Sequence, residues 1–456
     1  MDKTIKRGHI VDLSIENVER CLNYKNAEER DVVKQYFTNP SQVDRTKKTI
    51  VFSTPSETGT SFFRVFEPMR VMWKHHRDEA NFIYTEGIQP NHLKLADLTI
   101  QHRAGNLHSH FLSVSQMWPK TETKPLIAHD VDDNEFNLPR THPMRDLWYM
   151  SGKDKMSIQA LKQSDFVMTT GQKLRKTFKL MNNDVHIVRN MFDWDLPQWN
   201  LKHDDVRNEM LPQWKNVQDK IIVGWAGLTS HFEDLKRMHR SLKVIHDKYP
   251  NTHFVLAGMA LKDSAVEVQY NDKGEPEFKS KEIEDENLLY KNRVKNLYGD
   301  FDSNRLAIFD ALPLEEYGKF YSLFDISLAY IEHNAFNSCK SEIKVIESLR
   351  YNAVPIFSHY GGYKDYWHDI VPKNIQHKYL AIDSMMPKRW TEAVEYWVKK
   401  FEEDREYVKK VIDPIAKFTC DYYDMNENAE DRIFFLLEKA EEHEENEVNR
   451  IAKNYG

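Results

Sequence analysis

Cysteine is scarce in this 456-residue chain. The three present, Cys21, Cys339 and Cys420, are scattered and odd in number. That excludes a disulfide framework and points to a reducing compartment. They also lack the close spacing of metal ligands. Long hydrophobic runs are missing as well, since no apolar stretch approaches the roughly 20 residues of a membrane span. The opening Met1-Asp-Lys-Thr-Ile-Lys-Arg7 lacks the apolar core of a signal peptide. A cytoplasmic protein without a membrane span is the expectation. Repeats are absent, and the one biased segment, the acidic run Glu438–Glu447, reads as a solvated helix end.

What is present suits a folded enzyme or binding protein. Hydrophobic residues make up 40% of the chain and aromatics 12%, enough for substantial cores. The length exceeds what a single core supports, so two domains of about 200 residues are expected. The net charge of −7 hides an asymmetry: residues 1–200 carry 28 Lys and Arg against 25 Asp and Glu, the remainder 36 against 46. The slightly basic first half falls far short of a dedicated nucleic-acid binder.

In chain order, residues 1–46 show helical spacing. Lys48–Ser53 reads as a strand that runs through a Gly-containing loop into a helix starting at Phe62, the opening unit of an α/β sheet. Arg64, Arg70, Lys74 and Arg77 fall along that helix and are expected to be mostly solvated. Further strands are expected at Asn81–Tyr84, Leu98–Gln101, Pro125–Asn134, Phe166–Thr170 and Val185–Val188. Alternation with helices indicates a parallel sheet. The polar stretch from Arg189 to Lys220 reads as an interdomain linker. A second α/β unit starts at Ile221–Gly227 and continues through Phe254–Gly258, Leu306–Phe309 and Asp325–Tyr330. Residues 262–300 read as an inserted hairpin or loop, and helices dominate after Tyr363.

Two constellations carry chemistry. Asn337–Phe357 reads as a loop, a helix of about three turns and a buried strand, with Lys340, Lys344 and Glu347 on one helical face. Cations at a helix start oppose its dipole, by up to about 1 kcal/mol each. A bound anion reverses that penalty, so the pattern suits either a phosphate seat or a solvated Lys/Glu face. Asp130, Asp132, Asp133 and Glu135 crowd the end of an apolar strand beside His129. They fit metal coordination, general-base or charge-stabilising carboxylates, or an acidic turn. The loop after Gly224-Trp-Ala-Gly227 lacks G-x-G-x-x-G spacing, so the dinucleotide fingerprint is not met.

Taken together, several blocks resemble GT-B glycosyltransferases of the retaining family 4 type. In the second half they are Gly224–Gly227, Val255–Gly258, Leu312–Tyr317, Phe324–Ala329 and Asn337–Glu347. The first half, through Thr58–Pro68, Asp97–Arg103, Ala128–Phe136 and Val188–Asp193, is similar to a subgroup frequent in phages and polysaccharide loci. The resemblance implies an α/β GT-B fold, with two Rossmann-like domains facing a cleft and C-terminal helices. It implies an acceptor-side domain over 1–205, a donor domain over 206–415, and helices over 416–456 packing back on the first domain. It further implies a nucleotide-diphosphate sugar, UDP-linked, as co-substrate, with no other cofactor and no metal.

By the same resemblance, Gly227, Thr229, His231, Asn337, Lys340, Ser341, Lys344 and Glu347 bind the donor. His129, Asp132 and Asp133 are the catalytic candidates, and Thr60, Arg64 and Arg103 face the acceptor. The acceptor implied is a hydroxymethylated pyrimidine in phage DNA, the alternatives being a cell-surface or lipid-linked glycan, or a non-catalytic nucleotide-sugar module. Two departures stand out. Cys339 occupies the first position of the family's Glu-x7-Glu pair, and no Arg/Lys pair follows the Gly-rich loop, where His231, Lys236 and Arg237 stand instead.

Overall fold

The computed structural model describes residues 43–54, 59–85, 87–88, 90–103, 118–142, 145–259, 264–270, 276–282, 290–313, 316–383 and 385–455. The helices expected over 1–46 fall almost wholly outside these residues. The chain divides into two compact units. One comprises 1–130, 159–168 and 425–456, the other 131–158 and 169–424.

The apolar runs of the first half form β1 (Lys48–Ser53), β2 (Ala80–Thr85), β3 (Leu98–His102), β4 (Leu126–Val131), β5 (Phe166–Thr169) and β6 (Val185–Ile187). They make a six-stranded sheet in the order β2-β1-β3-β4-β5-β6. β1 pairs in parallel with both β2 and β3, and β3 with β4. Side chains along these strands are buried on both faces, which is why the sequence shows continuous runs rather than alternation.

In the first unit, Gly59–Ser61 leads through a π-helical turn, Phe62–Phe66, into the helix Glu67–His76. The expectation of a solvated basic face holds for Lys74 and Arg77, which are exposed, and fails for the other two. Arg64 and Arg70 are buried, as are Phe62, Phe63, Val65, Phe66, Met69 and Met72. The C-terminal helix Ala429–Tyr455 belongs to this unit. Its Glu444 pairs with Lys48, its His443 donates to the Lys124 carbonyl at 2.8 Å, and its Arg450 donates to the Lys120 carbonyl at 3.1 Å.

The second unit holds β7 (Ile221–Ala226), β8 (Thr252–Met259), β9 (Ser264–Tyr270), β10 (Pro276–Glu282), β11 (Leu306–Asp310), β12 (Ile326–Ala329), β13 (Val354–Ser358) and β14 (Ala381–Ile382). Six of them form a parallel sheet ordered β11-β8-β7-β12-β13-β14. β9 and β10 pair antiparallel, within the stretch read in the sequence as a hairpin or a loop.

The stretch expected to be a linker is a core element instead. The helix His203–Met210 and the residues after it bury Val206, Leu211, Trp214 and Val217 against Ile222, Phe320 and Phe324. Arg207, 1% exposed, donates to the Leu323 carbonyl at 2.7 Å and to Asp325 at 2.8 Å. Asp325 also accepts the Ile222 N–H at 2.7 Å. A polar-looking run is thereby tied to the sheet by one buried guanidinium. No helix among the described residues is long and apolar enough to cross a membrane.

Candidate functional site

In open α/β sheets, ligands gather at the carboxyl ends of the strands. β7 ends at Ala226, and the next residue, Gly227, donates its N–H to the Ala257 carbonyl at 3.0 Å. A side chain at Gly227 would place Cβ 2.7 Å from the Trp225 ring and 2.9 Å from Lys344 Nζ. Gly258 has φ +88°, and a Cβ there would lie 2.8 Å from the Gly227 carbonyl oxygen. Glycine is therefore required twice where these two strand ends meet. The chain then turns through Thr229–His231 into the helix Phe232–Lys248.

The central helix spans Ile343–Arg350, two turns rather than three. Lys340 lies outside it, in extended backbone whose carbonyl accepts the Gly362 N–H, so the three-residue face read from spacing reduces to Lys344 and Glu347. Glu342 stands at the N-cap without capping the helix through its side chain. It accepts instead from the Tyr423 hydroxyl and lies 3.5 Å from Arg189. Ile346 and Leu349 fill the core as expected.

Lys344 keeps part of its stem exposed, but its Nζ is buried and has no hydrogen-bond partner among the described residues. Its ammonium sits 5.0 Å from the centre of the Trp225 ring. Glu347, 0% exposed, likewise has neither carboxylate oxygen within hydrogen-bond geometry of a partner. Burial pushes the Lys344 ammonium down to about 8, against the opposing pull of Asp234 and Glu347. Burial pushes the Glu347 carboxyl up to about 8, although the Tyr321 and Tyr317 hydroxyls and Lys344 favour its ionised form. Those two hydroxyls face the carboxylate and also lie 3.2 Å from one another. Burying charged groups without partners costs several kcal/mol.

His231 bonds Asp234 at 2.8 Å, and burial followed by the Lys344 charge lowers its imidazole to about 4. It is neutral near pH 7 and serves as a hydrogen-bonding group rather than a cation. Asp234 in turn accepts the Glu332 N–H at 2.9 Å, linking the loop after β7 to the segment after β12.

The acids after β4 do not act as one cluster. Asp130 takes the Arg64 guanidinium in a doubly bonded pair, with both side chains at 0% exposure. Glu135 accepts from Ser157 at 3.1 Å. Asp133 pairs with Lys340 at 2.9 Å, and Lys340 also lies 4.4 Å from the centre of the Phe336 ring. Asn134 reaches Cys339 Sγ at 3.5 Å. Asp132 is buried, and His129 lies inside β4 at 0% exposure, its ring nitrogen 3.1 Å from the Gln101 carbonyl. Among the described residues no three His, Cys, Asp or Glu side chains converge as a metal site.

Solved structures of low sequence identity share this architecture. Sucrose-phosphate synthase from Thermosynechococcus elongatus matches with a TM-score of 0.57 and 10% identity, over 86% of this chain and 100% of that one. A glycosyltransferase from Rickettsia africae matches at 0.55 and 12%, over 86% and 98%. Anabaena HepE, solved in complex with UDP-glucose, matches at 0.54 and 11%, over 84% and 99%. The fold is GT-B. No protein-family model matches the sequence, and a search of curated proteins returns no match.

Within this GT-B chain, Gly227, His231, Lys344 and Glu347 are linked around the β7 carboxyl end, directly or through Trp225 and Asp234. Thr229 lies in the turn before His231. Asn337 is a turn residue, its side chain donating to the Glu332 carbonyl at 2.9 Å, and Ser341 accepts from Asn190 at 3.2 Å. Of the acceptor-side candidates, Arg64 is occupied by Asp130 and Thr60 lies in the turn before the π-helical segment. Arg103 closes β3 with φ +54°, a conformation unusual for a non-glycine residue. Sequence reasoning missed Trp225, Asp234 and Tyr321. Only Asp234 left a local signal, an acid three residues after His231 at the start of a helix.

Proposed function

We propose that this chain is a glycosyltransferase that moves a sugar from a nucleoside-diphosphate sugar, UDP-linked, to an acceptor hydroxyl with retention of configuration. The observation that carries the reading is the buried, unpartnered pair Lys344 and Glu347 beside Gly227 in a GT-B chain. The Lys344 ammonium faces the glycine that permits close backbone approach, and there it holds the diphosphate and stabilises charge on the leaving group. Glu347, one turn on, accepts hydrogen bonds from a sugar diol of the nucleotide. His231 adds a neutral donor, and Lys340 comes to the diphosphate by leaving Asp133. Asp132, Asp133 and His129 remain the residues proposed to act on the acceptor hydroxyl.

On the resemblance drawn from the sequence, the acceptor is a hydroxymethylated pyrimidine in DNA, and a surface glycan is the competing acceptor. A panel of nucleotide sugars, offered with hydroxymethyl-pyrimidine DNA and with glycan acceptors and read by mass spectrometry, tests both. Transfer from a UDP-sugar that is lost in Lys344→Met is the expected result. Failure of any nucleotide sugar or free UDP to bind overturns the reading.

A further inference from the structure

At the edge of the second sheet two imidazoles meet. His359 directly follows β13, and its backbone N–H donates to the Ile382 carbonyl of β14 at 3.0 Å, so sheet pairing fixes its position. His368 lies in the π-helical turn Tyr366–Ile370, anchored by the buried Tyr366 and Trp367 on its N-terminal side. The Nε2 atoms of the two rings are 2.7 Å apart. The ring centres are 4.6 Å apart and the planes are inclined by 68°.

Two nitrogens this close share at most one proton, because two N–H groups cannot point at each other. At least one Nε2 therefore presents a lone pair toward the other ring. On the far side of His359, its Nδ1 lies 3.9 Å from an Asp383 carboxylate oxygen. A carboxylate there favours the tautomer with the proton on Nδ1, which leaves Nε2 free as a ligand. It is also the outer partner that metal-binding histidines commonly have. His368 and Asp383 are exposed, so ions reach the pair from solvent.

We infer that His359 and His368 form a two-histidine site for a divalent transition-metal ion, with Asp383 orienting His359 from behind. Imidazole suits zinc, copper and nickel rather than magnesium or calcium. Two nitrogens on one zinc, each about 2.0–2.1 Å from it, stand about 2.9–3.4 Å apart. The rings therefore part by roughly 0.2–0.7 Å as the ion displaces the shared proton to solvent, a shift that the exposed His368 can make. Two protein ligands are fewer than the four that close a structural zinc site, so water completes the shell and the ion exchanges. When bound, it clips the turn after β13 to the π-helical turn. Neither histidine belongs to the proposed donor or acceptor residues, so the site does not depend on the glycosyltransferase reading.

The test is titration of the full chain, freed of metal by a chelator, with zinc chloride at neutral pH, read by calorimetry. Wild type is compared with His359→Gln, His368→Gln and Asp383→Asn. A one-to-one step that weakens at least tenfold in each histidine variant, and about tenfold in Asp383→Asn, is the expected result. Binding at other histidines is common to all four proteins, so the difference between wild type and variant isolates this site. His368 is exposed, so its replacement keeps the fold, and melting without zinc checks this for every variant. Zinc affinity that is equal in wild type and His368→Gln overturns the inference, as does the absence of saturable binding in wild type. Unchanged affinity in Asp383→Asn overturns the orienting role given to that carboxylate.

Discussion

Lys340 and Asp133 lie 2.9 Å apart, joining a residue read as donor-binding to one read as catalytic, 207 positions away in the chain. Both side chains are partly exposed, so the pair itself adds no more than about 1 kcal/mol to stability. If Lys340 meets the diphosphate as proposed, Asp133 and the bound diphosphate compete for one ammonium. In Asp133→Asn, UDP binding is expected to hold or tighten severalfold while sugar transfer falls at least tenfold. Calorimetry and a product assay on the same preparation separate the two, and full transfer would make Asp133 a purely structural partner.

Lys344 loses its proton near pH 8 in the free protein. Its depressed value means that the buried charge destabilises the fold below about pH 8, and that this penalty fades between about 8 and 10.5. The proposed donor site needs this ammonium charged to attract a diphosphate, so UDP affinity is expected to fall as pH rises above about 8. Lys344→Met is expected to weaken UDP binding at least 30-fold at pH 7 and to abolish that alkaline limb. A dissociation constant for UDP measured from pH 6 to 10 provides the check.

Glu347 behaves oppositely. Its carboxyl is raised from an ordinary 4.5 to about 8, so the folded protein holds a proton that the unfolded chain has released. Stability is therefore full below about pH 4.5 and lost progressively up to about pH 8. Glu347→Gln removes that loss, worth a few kcal/mol at the order-of-magnitude level. Its melting temperature is expected to exceed that of wild type at pH 9 and to match it at pH 4.5, while donor turnover drops. Equal melting at both pH values would show that the carboxyl does not titrate in this range.

Gly227→Ala drives a methyl into the Trp225 ring and the Lys344 ammonium, 2.7 and 2.9 Å from its Cβ. The lysine end can move, so the fold survives at a cost of about 1–2 kcal/mol while UDP binding weakens. Gly258→Ala meets backbone instead and combines that contact with φ +88°, which makes it the more destabilising, by about 2–4 kcal/mol. Urea denaturation of both variants tests the ranking.

Arg207→Ala leaves Asp325 and the Leu323 carbonyl without their buried donor. A loss of about 3–5 kcal/mol is expected, measured by chemical denaturation. A change below 1 kcal/mol would mean that residues 203–220 are the loose linker their polarity suggests.

The sequence alone determined the parallel α/β class, the places of most strands, the presence of an insertion at 262–300 and the placing of Lys344 with Glu347 on one helix. Each follows from local spacing: apolar runs buried on both faces, glycine at strand ends, and residues three apart on a helix. Tertiary structure decided which charges are engaged. Arg64 and Asp130, 66 positions apart, extinguish each other as binding groups, Lys340 leaves the helix for Asp133, and Arg207 turns a polar run into core. Such partners are set by where the chain returns in space, and a desolvated charge is indistinguishable in sequence from a solvated one.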